Sequence, residues 1–141
     1  MKYVLNSSVG FKWLVVEQHS DKANKLRDDL RNAVHEFVAP DVFPVEVTHA
    51  LTRAERQGRI TTAQGAVLFA DLMTTLPKLD SSLPLLPRAY EISSQTRTGI
   101  YDCLYVAMAE HEKCELITAD DKLVKNLGPH FPFIVPLASL P

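Results

Sequence analysis

Three carboxylates and one side-chain amide fall where their chemistry could converge. Asn6 directly follows the apolar run Tyr3-Val4-Leu5, and Asp120 closely follows Leu116-Ile117-Thr118. Glu46 and Asp102 lie near the starts of helical stretches, Glu46 in the one that follows a second apolar run, Asp102 in the one opened by Ile100-Tyr101. In an open parallel sheet, ligands bind outside the carboxyl ends of the strands, and helices that follow strands begin at that same edge. All four side chains are therefore expected on one edge. A single acid in such a place does no more than complement a helix dipole. Several drawn from separate segments make a site. Carboxylates held close repel one another, so their pKa values rise until a divalent cation relieves the repulsion. Hard divalent cations prefer such oxygen ligands. A bound ion lowers the pKa of a coordinated water and offsets charge on a phosphodiester. No histidine is placed as an obvious base, so metal-activated water is the expected nucleophile.

Other polar signals carry less. Arg53 follows Glu46 by seven residues, two helical turns and roughly 10 Å, on nearly the same face. Its guanidinium could hold the phosphate flanking a scissile one, or simply suit the negative end of the helix dipole. Arg56 and Arg59 are placed less well for the first role. Glu46-Val47-Thr48-His49 has the Glu-x-x-His spacing of carboxylate-bridged di-iron bundles, but those need a second copy, which this chain lacks. Glu110-His111-Glu112 reads as a solvated helix end. Cys103 and Cys114 read as small apolar packing residues without a zinc-like partner pair. Trp13, with Phe11 and Leu14, is expected to cover the core from the first helix.

The elements that must position these residues alternate. Strands are expected at Tyr3-Val4-Leu5, Glu36-Phe37-Val38-Ala39, weakly at Lys78-Leu79-Asp80, at Glu115-Leu116-Ile117-Thr118, and at Phe133-Ile134-Val135. Their nearly continuous apolar character suits strands covered on both faces. Between them the spacing predicts helices over Lys22 to Val34, Asp41 to Gly58, Thr61 to Leu76, Pro87 to Thr96, Tyr101 to His111 and Asp121 to Leu127. Pro44 suits the first turn of the second of these. Leu83 to Pro87, with two prolines, reads as a loop. The expected architecture is a three-layer α/β/α domain around about five parallel strands.

Composition narrows the function. The 141 residues are 46% hydrophobic and 23% charged, enough apolar content for a real core and too much for a disordered chain. That length suits a single domain over residues 1–141. Fifteen basic residues against seventeen acidic give a net charge of −2, so nucleic acid would be met by a local patch and not by a global field. No apolar run approaches the roughly 18 residues of a membrane span. Three apolar residues before Asn6 are too few for a secretory core, and the expected setting is cytoplasmic with reduced thiols.

In their order along the chain, Tyr3-Val4-Leu5-Asn6-Ser7-Ser8-Val9, Phe43-Pro44-Val45-Glu46-Val47, Tyr101-Asp102-Cys103-Leu104-Tyr105-Val106-Ala107-Met108-Ala109 and Leu116-Ile117-Thr118-Ala119-Asp120 resemble the PIN domains, and among them the VapC toxin ribonucleases. The resemblance spans essentially the whole chain. It implies a magnesium- or manganese-dependent endoribonuclease whose acidic residues match Glu46, Asp102 and Asp120. Thr118 matches the polar residue just before the last acid, and Ser7 and Thr118 join Arg53 as candidates to contact RNA. It further implies a homodimer and a small antitoxin partner that blocks the site. One position departs from the family: its first acidic residue falls on Asn6. An amide oxygen can ligate but brings no charge, so weaker metal binding and slower turnover are expected. Natural divergence and an inactivating substitution both account for Asn6. The rival function is a catalytically inactive PIN-like module that binds RNA or a protein. A receiver-type signalling domain would need an acidic pair after its first strand, and none is present.

Overall fold

The structure, a computed structural model, describes residues 1–141. The apolar runs pair as five parallel strands: β1 Lys2–Leu5, β2 Glu36–Pro40, β3 Lys78–Asp80, β4 Glu115–Thr118 and β5 Ile134–Pro136, in the order β3-β2-β1-β4-β5. β1 is central. Val4 pairs with Val38 on one side and with Leu116 on the other, and all three are buried.

Helices α1 Ser7–Leu14 and α2 Ser20–Arg31 lead from β1 to β2, and α3 Phe43–Arg56 and α4 Thr62–Thr74 lead from β2 to β3. The chain then reverses direction across the sheet through α5 Leu86–Thr96 and α6 Ile100–Glu112 into β4, and α7 Asp121–Leu127 leads to β5. Right-handed crossovers put helices from opposite directions of travel on opposite faces, which gives the three layers. Helix α6 lies across β1, β2 and β4 and is buried from Cys103 to Ala109. The reversal falls between β1 and β4, so the topological switch point lies where Asn6 and Asp120 leave their strands.

Gly10 sets the approach of α1 to α3. A Cβ there would stand 2.7 Å from the Phe43 ring and 3.1 Å from Val47. The missing side chain lets the helix that begins beside Asn6 lie close to the helix that carries Glu46. Trp13 fills the adjacent core, 7% exposed, and its indole N–H donates to the Ala23 carbonyl at 2.8 Å. Phe11, expected beside it in the core, is only half-buried.

Several boundaries differ from the sequence reading. The helix expected over Lys22 to Val34 runs from Ser20 to Arg31, because Ala33 turns into the left-handed region at φ 53° and Val34 is exposed. The expected loop at Leu83 to Pro87 is a 3-10 turn, Leu83–Leu85, running straight into α5, with Pro87 in the first turn, where its missing N–H costs nothing. The last strand lies one residue later than expected. Glu110 and Glu112 are not merely solvated: Arg88 forks onto Glu110 at 2.7 and 3.1 Å, and Lys2 reaches Glu112 at 3.0 Å, tying α6 to α5 and β1. Cys103 and Cys114 are free thiols. No helix is long and apolar enough to cross a membrane.

Candidate active site

The carboxyl edge of the two central strands is stitched by a short polar network. Asn6 is the N-cap of α1, extended at φ −76° and ψ 149°, and its side-chain oxygen accepts from the Ser8 N–H at 3.1 Å and the Ser8 hydroxyl at 2.6 Å. This is the ordinary chemistry of an N-cap, a side-chain oxygen satisfying a helix's free amides. The Ser8 hydroxyl also accepts from the Ala119 N–H at 2.9 Å and lies 3.3 Å from the Thr118 hydroxyl. Thr118 is fully buried and accepts from the Asp120 N–H at 3.1 Å. Asp120 in turn caps α7, accepting from Lys122 and Leu123 at 2.9 and 3.3 Å.

The remaining two acids arrive on first turns of helices from the flanking layers. Glu46 follows Pro44 at the start of α3, and Asp102 follows Gly99 at the start of α6. The Tyr105 hydroxyl, one turn after Asp102, donates to Glu46 Oε1 at 2.7 Å. Burial raises the Glu46 pKa from its ordinary value and the Asp120 charge adds to it, while the bonds from Tyr105 and Ser7 pull it back. Asp102 has no such donors. Burial first, then the charges of Asp120 and Glu46, lift its pKa from 3.8 to about 6. Burial, aided by the adjoining Glu46 carboxylate, pushes the Tyr105 phenol well above its ordinary value.

Asn6, Ser7, Glu46, Asp102 and Asp120 all line one pocket of about 310 Å³, together with Ser8, Phe11, Lys12, Glu17, Ala50 and Ala119. Thr118 lies beneath it and acts through the network. Arg53 is exposed and outside the lining residues. No three histidine, cysteine, aspartate or glutamate side chains form a ready-made metal cage, yet Asp102 feels the charges of both Asp120 and Glu46. Glu46 is held by Tyr105, and Asp120 caps α7. His49 is exposed and joins no metal-holding group. As a donor set, three carboxylates and an amide oxygen still fit a hard divalent cation, which would offset both the burial and the neighbouring charges that raise the Asp102 pKa.

Two contributors escaped the sequence reading. Tyr105 could have been found, because three residues separate it from Asp102 and put both on one face of α6. Ser8 carried only the weak signal of a hydroxyl at the second position of a capped helix. Its link to Ala119 depends on the pairing of β1 with β4, which no local pattern reveals.

A family model for the PIN domain matches residues 3–127, a span that contains Asn6, Glu46, Asp102 and Asp120. The chain belongs to the PIN-domain family. Ribonuclease VapC1 of Mycobacterium tuberculosis, from two strains, is 35% identical to this PIN domain over an alignment of 104 residues that covers 70% of this chain and 75% of the relative. Among solved structures, PAE2754 of Pyrobaculum aerophilum superposes with a TM-score of 0.71 at 19% identity, covering 99% of this chain and 94% of that one. VapBC2 of Rickettsia felis, bound to a DNA fragment from its promoter, superposes with a TM-score of 0.64 at 14% identity, covering 96% and 97%. At these identities the two structures speak for the α/β/α fold. The sequence relative is what links this PIN domain to the VapC proteins.

Proposed function

We propose that this protein is a divalent-metal-dependent endoribonuclease of the VapC type, a single domain over residues 1–141. The observation that carries the reading is the gathering of Glu46, Asp102, Asp120 and Asn6 from four separate segments into one pocket at the topological switch point. The ribonuclease named among its relatives supports it. Glu46, Asp102, Asp120 and the Asn6 amide oxygen would hold Mg²⁺ or Mn²⁺. When bound, such an ion lowers the pKa of a coordinated water and offsets charge on the phosphodiester. Tyr105 orients Glu46 through its 2.7 Å bond. Thr118 and Ser8 fix the Asp120 backbone against Asn6. Ser7 offers a hydroxyl to the RNA, and Arg53, exposed on α3, holds a phosphate farther along the strand. A small antitoxin that covers the pocket and a homodimer follow from the likeness to VapC proteins, as does a cytoplasmic setting.

A catalytically inactive PIN-like binding module is the second reading. It is favoured by Asn6, which is engaged as a helix cap and adds no charge. One experiment separates the two. Purified protein is incubated with Mn²⁺ and mixed single-stranded RNA beside Asp102→Asn and Asn6→Asp, and divalent binding is titrated in parallel. Cleavage by the wild type that Asp102→Asn loses supports the nuclease. Divalent binding that Asn6→Asp tightens is expected with it. No cleavage by wild type or Asn6→Asp, together with no divalent binding, refutes it.

A further inference from the structure

The pocket has a second end that metal chemistry does not use. Its lining includes five charged side chains, of which Lys12 is the only cation. Lys12 lies at the close of α1, 14% exposed, with its ammonium 3.4 Å from Glu17 Oε1 and 2.8 Å from the Gln18 carbonyl. Arg59 reaches the same carboxylate from the turn after α3, its Nη2 2.9 Å from Glu17 Oε2. That turn is set by Gly58 at φ 74°, a left-handed conformation that favours glycine. The Arg59 guanidinium also lies over the Phe11 ring, 5.7 Å from its centre. Glu17 is thus gripped through both oxygens by two cations beside a half-buried aromatic face. Two oxygens of a phosphate offer those cations the same geometry and the same sign of charge.

The energetics favour exchange. The Arg59 and Glu17 side chains are 42% and 29% exposed, and a pair this open to water contributes little stability. The more buried Lys12 keeps its bond to the Gln18 carbonyl when Glu17 leaves. Displacing Glu17 therefore costs the fold little. An incoming phosphodiester would keep both cations paired, and its base or ribose could lie on Phe11, since stacking on aromatic rings tolerates any sequence. The opposite end of the pocket, with Glu46, Asp102 and Asp120, repels phosphate until it is neutralised. The charge distribution thus gives a strand one direction in which to lie.

We propose that Lys12 and Arg59 form a phosphate clamp, with Phe11 as its stacking face, for a nucleotide of single-stranded RNA adjoining the one that is cut, and that Glu17 is its displaceable occupant. The inference rests on the ribonuclease reading for its substrate, and its test is separate. Binding of a short labelled single-stranded RNA is followed by fluorescence anisotropy across a salt series with Ca²⁺ present, with the RNA checked for integrity. Glu17→Gln, Lys12→Gln and Arg59→Gln are compared with the wild type, and thermal melts verify folding. Glu17→Gln should bind roughly two- to fivefold tighter, the range that losing an exposed ion pair allows. Lys12→Gln and Arg59→Gln should each bind more weakly and flatten the log–log salt dependence by about 0.7, one phosphate contact on a single strand. Equal or weaker binding by folded Glu17→Gln overturns the clamp, as does an unchanged salt slope in both cation variants. Should Glu17→Gln fail to fold, the two slopes decide alone. Cleavage with Mn²⁺ judges the underlying reading. Cutting by all four proteins with unaltered binding removes the clamp and leaves the nuclease. Altered binding with no cutting removes the nuclease and leaves the clamp.

Discussion

Asp102 offers the most direct test of whether the acidic side chains form one electrostatic unit. Replacing it with asparagine keeps its size and removes its charge. Its pKa is raised from 3.8 to about 6 by burial and by Asp120 and Glu46, and the corresponding free energy is about 3 kcal/mol. The folded chain binds this proton more tightly than the unfolded one. The contribution to stability is therefore fully present below about pH 4 and is lost as pH rises through about 6. At about pH 7 the ionised Asp102 thus weakens the metal-free fold by up to that amount, and asparagine escapes the penalty. It also gives up a favourable charge in the first turn of α6, worth roughly 0.3–1 kcal/mol. A net gain of about 2 kcal/mol remains, or about 5 °C in Tm for a domain of this size. Thermal melts of both proteins in EDTA, from about pH 4 to pH 7.5, supply the assay. The variant should melt higher at neutral pH and level with the wild type in acid. Excess Mn²⁺ should stabilise the wild type more than the variant by linkage. A variant that melts lower at neutral pH, or an advantage that does not shrink in acid, would sink the reasoning and mark Asp102 as a structural residue of α6.

Three further outcomes are expected. Asn6→Asp keeps the bonds from Ser8 but adds a buried fourth charge. Metal-free melts should fall, and calorimetric titration should show divalent affinity rising tenfold or more, about 1.4 kcal/mol; unchanged affinity and activity would mean that the Asn6 side chain does not serve the site. Tyr105→Phe removes the hydroxyl that holds Glu46 at 2.7 Å, so stability at neutral pH should drop by about 1–2 kcal/mol in denaturant titrations, and cleavage should fall more than RNA binding does. Gly10→Ala forces Phe43 and Val47 away from α1, which should cost about 1–3 kcal/mol in denaturant melts and loosen the pocket between Asn6 and Glu46.

The strands were legible because a parallel sheet covered on both faces leaves nearly continuous runs such as Glu115-Leu116-Ile117-Thr118. The positions of Asn6, Glu46, Asp102 and Asp120 could be read because each follows from one local fact, the end of a strand or the start of a helix. What those side chains do to one another could not. Tyr105 reaches Glu46 across 59 positions and Ser8 reaches Ala119 across 111. Such bonds depend on how the layers close, which local spacing does not encode. The arginines show the same limit. Helical spacing singles out Arg53, which points to solvent, while Arg59 reaches the pocket rim only through the left-handed turn at Gly58. Similarly, no pattern marks Ala33 as the residue that ends α2.

The central pairing of β1 with β4 also has a consequence for synthesis. A ribosome makes Asn6 well before its partner strand β4 and Asp120, which follow six helices later. Every shorter nascent chain lacks the strand that completes the pocket, and the long loop between must close before β4 can dock. The pocket is thus postponed until β4 and Asp120 have been made. On the ribonuclease reading, cleavage waits with it, and the translating messenger is spared until β4 has docked beside β1.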